Sequence, residues 1–229
     1  MSQAAAAGFL IGVPVVFNAG FTLLAQRFDY PDVLRQPTHE VLERFRAGGP
    51  SLLVIWWVFA LSAVLFAPLV VLLAGELGDA DGTVVALSVV VGVLAAVVQF
   101  LGLIRWPFLV PYLAREAENA DPASARGEAV DVVFQSFHRY LGVAVGEHLG
   151  YTLTGAWSVL AGVALVQSDA VPGWLGRIGV VIGPLFLVSA VEFLGRFEPA
   201  GWKLAGQLTP IAYIAWSVWL VAVGVALLA

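Results

Sequence analysis

The sequence predicts an all-α protein, a polytopic membrane helix bundle of six transmembrane helices with short cytoplasmic amphipathic helices. Of its 229 residues, 60% are hydrophobic and only 12% are charged, whereas a soluble domain carries about 25% charged residues. The mean hydropathy is +0.92. Apolar stretches of the roughly 20 residues that a helix needs to cross a hydrocarbon core of about 30 Å recur from one end of the chain to the other.

Six segments meet this length, which leaves no room for a soluble domain and makes residues 1–229 a single integral membrane domain. They lie at 5–26, 50–75, 83–114, 140–167, 174–195 and 206–228. The first lacks the basic region of a signal peptide and is interpreted as a retained helix. The third is too long for a straight span, and Pro107 and Pro111 predict that it kinks or breaks near its end.

Arginine and lysine are concentrated in alternate loops. Arg177 is the only basic residue of the second and fourth loops, and nine of the eleven lie in or beside the first, third and fifth: Arg27, Arg35, Arg44, Arg46, Arg115, Arg126, Arg139, Arg196 and Lys203. Because basic loops stay in the cytoplasm, we expect a multi-pass protein of the cell inner (plasma) membrane with both termini extracytoplasmic. The formal charge of −5 is spread thinly, which argues against nucleic acid as a partner.

Two cytoplasmic stretches have helical patterns. In the first loop, Val41, Leu42 and Phe45 share one face, Glu40 and Arg44 are spaced as an i,i+4 pair, and glycines end the run. This segment is predicted to lie on the membrane surface. In the third loop, residues 121–124 form a predicted turn and helix start that leads into the fourth span. Both stretches are interpreted as short helices that anchor the chain at the membrane interface. The alternative is that they form a regulatory or partner-binding surface.

The fourth span carries the densest set of polar residues in the predicted membrane. At about 100° per residue, one narrow stripe contains Tyr140, Glu147, Tyr151, Thr154 and Ser158. Gly142, Gly146 and Gly150 form two successive GxxxG steps, a spacing that lets another helix approach closely. A polar stripe beside a glycine face predicts the central helix of the bundle.

Counting residues from the cytoplasmic loops places further polar groups in one layer with Glu147. These candidate ligand-binding residues are Arg105, Glu147, His148, Tyr151, Asn18 and Tyr213. Arg105 and Glu147 are predicted to lie in direct or water-bridged contact, because each alone would be an uncompensated charge in hydrocarbon. Three interpretations stay open: a structural ion pair, a cytoplasm-facing cavity that binds a small ligand, ion or proton, or an interfacial, unpaired Arg105.

Several chemistries lack their residues. The chain has no cysteine, which excludes thiolate metal sites and disulfides. His138 and His148 share one helix at depths about 15 Å apart, so they cannot clamp one haem. Neither HExxH nor GxSxG occurs. No cofactor, metal site or catalytic residue is predicted, although a metal held by His148, Glu147 and a carboxylate from another helix is conceivable.

Four segments resemble a known family. They are Phe28-Asp29-Tyr30-Pro31-Asp32-Val33-Leu34-Arg35 with Phe45-Arg46-Ala47-Gly48-Gly49, Arg105-Trp106-Pro107-Phe108-Leu109-Val110-Pro111, Phe137-His138-Arg139-Tyr140, and Gly146-Glu147-His148-Leu149-Gly150-Tyr151. The chain resembles bacterial multi-pass membrane proteins grouped as domain of unknown function 4386. The resemblance supports the six-helix interpretation and implies no reaction or ligand.

The leading functional hypothesis is a membrane protein that binds or passes a small molecule or ion at a polar, cytoplasm-facing intramembrane site. One alternative is an intramembrane enzyme that acts on a lipid or isoprenoid-like substrate with Glu147 or His148 as acid or base. A structural or regulatory membrane subunit is the other. The expected partners are membrane lipid and a small ligand or ion, and the sequence leaves the oligomeric state undetermined.

Overall fold

The computed structural model describes residues 3–229, which form an all-α bundle. The helices are α1 (Gln3–Phe28), α2 (Thr38–Val64), α3 (Phe66–Gly75), α4 (Gly82–Glu118), α5 (Ala125–Phe137), a π-helix (His138–Leu149), α6 (Gly150–Gln167), α7 (Gly173–Ser189) and α8 (Lys203–Leu227). Short 3₁₀ turns occupy Asp32–Arg35 and Gly195–Phe197. No β-strand occurs in residues 3–229.

Five helical segments are long and apolar enough to cross a membrane. They are Gln3–Phe28, Thr38–Gly75, Gly82–Glu118, Ala125–Gln167 and Lys203–Leu227. The sixth, α7, is apolar but has 17 residues, which corresponds to about 25 Å of helix. Its predicted span reached residue 195, whereas the helix ends at Ser189 and the chain then turns, with the Trp202 amide donating to the Glu192 carbonyl at 2.7 Å.

The spanning helices form a closed ring. Going around it, α1 packs on α2, α2 on α4, α4 on α6, α6 on α7, α7 on α8, and α8 on α1. The ring therefore encloses a single interior, and every span has two neighbours that shield part of its surface from lipid.

The loops meet at two ends of the ring with different charges. At the basic end, Arg46 pairs with Glu118 at 2.9 Å, Arg126 with Glu116 at 2.6 Å, and Arg139 with Glu198. At the acidic end, the Asp81 amide donates to Gln167 at 3.2 Å. The Asp81 carboxyl also caps α4 by accepting hydrogen bonds from the backbone amides of Val84 and Thr83. These hydrogen bonds hold the pKa of the carboxyl below its ordinary value.

The apolar core is divided into two clusters. The cluster nearer the acidic end contains Trp157, Trp216, Trp219 and Phe186. The cluster nearer the basic end contains Trp56, Trp106, Phe28 and Phe45, with the Trp56 and Trp106 rings stacked at 4.4 Å. Polar side chains occupy the boundary between the two clusters.

Helix α4 continues through both of its prolines. It has 37 residues and contains Pro107 and Pro111, so of the predicted kink or break near its end, the break does not occur. At about 1.5 Å per residue its length is about 55 Å, well over the thickness of a hydrocarbon core. The last turns therefore project beyond the membrane, where Glu116 and Glu118 form ion pairs.

The amphipathic segment of the first loop packs on the bundle and does not lie free on the membrane surface. Val41, Leu42 and Phe45 are at most 5% exposed, in one cluster with Trp106 and Phe134. Large apolar side chains of α4 and α5 cover this face, so it is not free to insert into the membrane surface. Arg44 pairs with Asp29 at 3.4 Å and not with Glu40.

Glycine faces set the closest helix approaches. A Cβ on Gly102 would lie 2.7 Å from the Gly146 Cα, and a Cβ on Gly150 would lie 2.8 Å from Gln99. The predicted glycine face of the fourth span thus contacts α4. A second face, not singled out from the sequence, joins α6 to α7 through Gly155, Gly162, Gly176 and Gly183.

The first part of the fourth span is a π-helix. Its i→i+5 hydrogen bonds widen each turn and reduce the rotation per residue, so a stripe drawn at 100° per residue does not hold there. Tyr140 is 67% exposed, whereas Thr154 and Ser158 are buried. The prediction that Tyr140 shares the interior stripe is therefore wrong.

Candidate functional site

The candidate site is a polar layer inside the ring, at the boundary of the two apolar clusters. Arg105 and Gln99 come from α4, Glu147 from the π-helix, Tyr151 from α6, Tyr213 from α8, and Tyr30 from the loop after α1. Tyr151 and Tyr213 pack against the cluster nearer the acidic end, and Tyr30 against the other. We call these six residues the polar layer.

Arg105 is buried, at 8% exposure, and its guanidinium contacts uncharged partners. Nη1 donates to the Gly102 carbonyl, and Nη2 lies 3.3 Å from His138 Nδ1. Because arginine only donates, His138 Nδ1 accepts this bond and the imidazole is neutral. The guanidinium also lies 5.4 Å from the centre of the Trp106 ring and against Gly142, where a Cβ would be 2.6 Å from Nη2.

Of the predicted direct or water-bridged contact between Arg105 and Glu147, the direct ion pair is not formed. Among residues 3–229, no carboxylate oxygen lies within 4.0 Å of the Arg105 guanidinium. The absence of a side chain on Gly142 leaves room for the guanidinium beside the π-helix, and His138 holds it there. The two charges still lie within electrostatic reach of one another.

Glu147 is the unpaired acceptor of the layer. It is half-buried, and no hydrogen-bond donor or basic group of the described residues bonds to its carboxylate. Tyr151 follows it by one helical turn, and both Tyr151 and Tyr213 lie within reach of its charge. A carboxylate in an apolar surrounding without a donor is costly, so the free oxygens of Glu147 are a place where a ligand or water gains hydrogen bonds.

Tyr30 was not among the sequence candidates because it lies in a predicted loop. Its ring is inserted between Trp56, at 5.1 Å, and Phe21, at 5.7 Å. The preceding residue, Asp29, has a φ of 57° and pairs with Arg44. Burial raises the pKa of the Tyr30 hydroxyl, the charge of Glu147 raises it further, and Arg105 lowers it. Tyr30 therefore closes the layer on the side of the basic end.

A hydrogen-bonded chain completes the layer on the opposite side. The Tyr213 hydroxyl donates to Gln99 Oε1 at 3.2 Å, and Gln99 Nε2 donates to Thr154 Oγ1 at 3.1 Å. Gln99 was missed in the sequence, although it is the one amide in the middle of the third predicted span. The Tyr151 ring lies 5.7 Å from the Tyr213 ring in an edge-on arrangement.

Asn18 and His148 lie outside the polar layer. Asn18 Nδ2 donates to Ser217 Oγ at 2.9 Å and to the Pro14 carbonyl at 2.7 Å, which joins α1 to α8. His148 Nδ1 lies 2.7 Å from the Ala190 carbonyl, so Nδ1 carries the proton of that bond. Of the six candidates, Arg105, Tyr151 and Tyr213 lie within electrostatic reach of Glu147, and the Tyr151 and Tyr213 rings are neighbours.

Aromatic rings surround the layer. Tyr213 stacks on Phe17 at 5.3 Å and meets Phe186 edge-on at 4.9 Å, and Phe17 lies 5.0 Å from Phe59. Ring faces and edges are apolar but attract cations. The Tyr213 side of the layer therefore has an aromatic wall.

Glu192 lies between the layer and the basic end. It is half-buried, and its carboxylate lies against Gly206 and Gly201 of the chain that enters α8. Burial raises the pKa of the Glu192 carboxyl, while Arg35 lowers it. Glu192 is also within electrostatic reach of Glu147, which extends the acidic character of the layer toward the loops.

Comparison with known proteins identifies one family. The family model described as "Domain of unknown function (DUF4386)" matches residues 5–224. No curated protein and no solved structure matches the chain. The match covers nearly the whole chain and confirms the resemblance found in the sequence. This multi-pass membrane protein therefore belongs to the DUF4386 family.

Proposed function

We propose that the protein binds or passes a small molecule or ion at the polar layer, on the side of the ring that opens to the cytoplasm. The observation that supports this most is the Glu147 carboxylate, which is half-buried and has no hydrogen-bond donor among the described residues. Arg105, in contrast, has partners for its guanidinium. Glu147 therefore offers the layer an acceptor whose bonding capacity is unfilled.

A ligand that donates hydrogen bonds or carries positive charge matches this acceptor. Its apolar part would contact the rings of Phe17, Tyr151 and Tyr213, and its donor would bond to Glu147. Arg105 keeps the layer close to electrical neutrality, so the ligand does not need a full charge. A small organic ammonium ion is a suitable first probe.

The test is thermal unfolding of the detergent-solubilised protein with a panel of organic ammonium ions, together with native mass spectrometry for a retained endogenous mass. At a concentration 100 times the Kd, binding stabilises the folded state by about 2.7 kcal/mol. Wild type and Glu128→Gln, which changes an exposed carboxylate on α5, should respond equally. Glu147→Gln keeps the shape of the side chain but removes its charge, and it should lose the response.

Equal responses of Glu147→Gln and wild type would remove Glu147 from the site. No response in any variant, together with no retained mass, would favour a structural or regulatory subunit. A retained lipid or isoprenoid that is converted to a second mass during incubation would instead favour the intramembrane enzyme, with Glu147 or His148 as acid or base.

A further inference from the structure

A groove between α1 and α2 faces outward near the basic end. Its volume is about 430 Å³, and it is lined by Leu23, Arg27, Pro50, Ser51, Val54 and Ile55. Leu23 and Val54 are 40% and 52% exposed, so the floor of the groove offers apolar surface to the membrane. We call it the α1–α2 groove.

The backbone explains why the groove opens at this height. At Gly20 the two helices touch, because a Cβ there would lie 3.0 Å from the Phe59 ring. About three turns from Phe59 toward the basic end, α2 departs from helical geometry at Gly49, where φ is 59° and ψ is −158°. The segment before Gly49 turns away to pack on α4 and α5, and the space beside Pro50 and Ser51 is left uncovered.

The rim of the groove is basic. Arg27 has no carboxylate oxygen within 4.0 Å among the described residues. It also lines a neighbouring hollow of about 460 Å³ that includes Arg44 and Asp29, which lie 3.4 Å apart. Two positive charges and one negative charge leave one net positive charge at this rim.

From these observations we infer that the α1–α2 groove binds an anionic phospholipid. One acyl chain lies along Leu23, Val54 and Ile55, and the phosphodiester, which carries a single negative charge, lies at Arg27. Basic pockets between transmembrane helices are a recognised type of headgroup site. This site is separate from the polar layer, because Leu24, Leu52 and Trp56 are fully buried between α1 and α2 on the inner side of the groove.

Native mass spectrometry of the protein with equal amounts of phosphatidylglycerol and phosphatidylcholine tests the inference. Wild type should retain phosphatidylglycerol preferentially. One basic residue near the membrane surface contributes about 1 kcal/mol to binding of anionic lipid, so Arg27→Gln should weaken retention about fivefold. Arg177→Gln removes another exposed arginine at the acidic end of the ring and should leave retention unchanged.

A second variant tests the apolar part without changing charge. Val54→Trp fills the α1–α2 groove from an exposed position and should also reduce phosphatidylglycerol retention. The inference is overturned if Arg27→Gln binds like wild type, or if Arg177→Gln loses as much affinity as Arg27→Gln. It is also overturned if Val54→Trp has no effect, or if the water-soluble headgroup glycerophosphoglycerol binds as tightly as the lipid.

Discussion

The positive charge of Arg105 is buried, and no carboxylate of the described residues contacts it. Its guanidinium is planar and delocalised, and it uses a backbone carbonyl, a neutral imidazole and the Trp106 ring as partners. The close fit against Gly142 holds it in this arrangement. The charge of Glu147 acts on it through space, so coupling between the two residues should be weaker than that of a contacting buried pair.

The contact between Gly142 and Arg105 can be tested with a double-mutant cycle. In wild type, Gly142→Ala places a methyl group 2.6 Å from Nη2 and should destabilise the protein by about 1–3 kcal/mol. In the Arg105→Met background the shorter, flexible chain can move aside, so the same substitution should cost less. Thermal unfolding of the four proteins in detergent measures the difference.

Gly8→Ala is the control for this cycle, since its added Cβ meets no atom within 4 Å, and it should have the same small effect in both backgrounds. Residues in contact show coupling of about 0.5–3 kcal/mol, whereas independent sites are additive within about 0.5 kcal/mol. Additive effects of Gly142→Ala and Arg105→Met would show that the two residues do not constrain one another.

At the scale of elements, glycine spacing determines how close α6 and α7 approach. Gly155 and Gly162 are seven residues apart, as are Gly176 and Gly183, and a Cβ on either Gly155 or Gly162 would meet backbone atoms of α7. Lipid tails are as apolar as the side chains, so helices in a membrane associate mainly by close van der Waals packing and hydrogen bonds. Added side chains at this seam would therefore separate the helices.

Gly162→Ala should destabilise the protein by about 1–3 kcal/mol, because the new Cβ would lie 2.8 Å from the Val180 amide nitrogen and close to the Gly176 carbonyl. Gly12→Ala is the matched control in the middle of α1, where nothing lies within 4 Å of the added atom. It should be neutral or stabilising by up to about 1 kcal/mol, as alanine favours helix. Thermal unfolding in one detergent compares them, and equal melting temperatures would contradict the close packing of α6 on α7.

The π-helix is the element that most affects the polar layer. It contains the half-buried Glu147 and leaves Tyr140 exposed, and it ends where the regular α6 begins. Because π-helical turns are rare and are frequently found at functional sites, this segment agrees with a site at the polar layer.

At the scale of the whole molecule, the ring has a basic and an acidic end. The loops after α1, α4 and α7 meet at one end through ion pairs such as Arg46–Glu118 and Arg139–Glu198. The loops after α3 and α6 meet at the other through Asp81 and Gln167. We propose that the basic end faces the cytoplasm, in accord with the distribution of arginine and lysine.

Cysteine labelling tests this orientation in a chain with no natural cysteine. In intact cells, a membrane-impermeant maleimide should label Asp79→Cys, in the acidic-end loop, from outside. Ala123→Cys, in the loop between α4 and α5, should react only after the cells are opened. The reverse pattern would invert the orientation, and labelling of both variants from outside would contradict the single span, α4, that separates the two positions.

By itself, the sequence determined that this is an all-α, multi-pass membrane protein, because six long apolar runs leave no other stable structure in hydrocarbon. It also indicated that the glycine face of the fourth span contacts another helix, and it predicted one layer of polar residues that included Asn18 and His148 with Arg105, Glu147, Tyr151 and Tyr213. These are properties of spacing and composition along single helices, which rise and rotate by nearly constant steps per residue.

Only the tertiary structure decided which groups touch. The Arg105 guanidinium contacts His138 and Gly142. The Tyr30 ring, which comes from a loop, packs on Trp56, and Gln99 hydrogen-bonds to both Tyr213 and Thr154. The amphipathic face at Phe45 was covered by α4 and α5, and the π-helix removed Tyr140 from the interior stripe. Depth can be counted along one helix, but contacts depend on the rotation of each helix against its neighbours, which the packing of the whole ring determines.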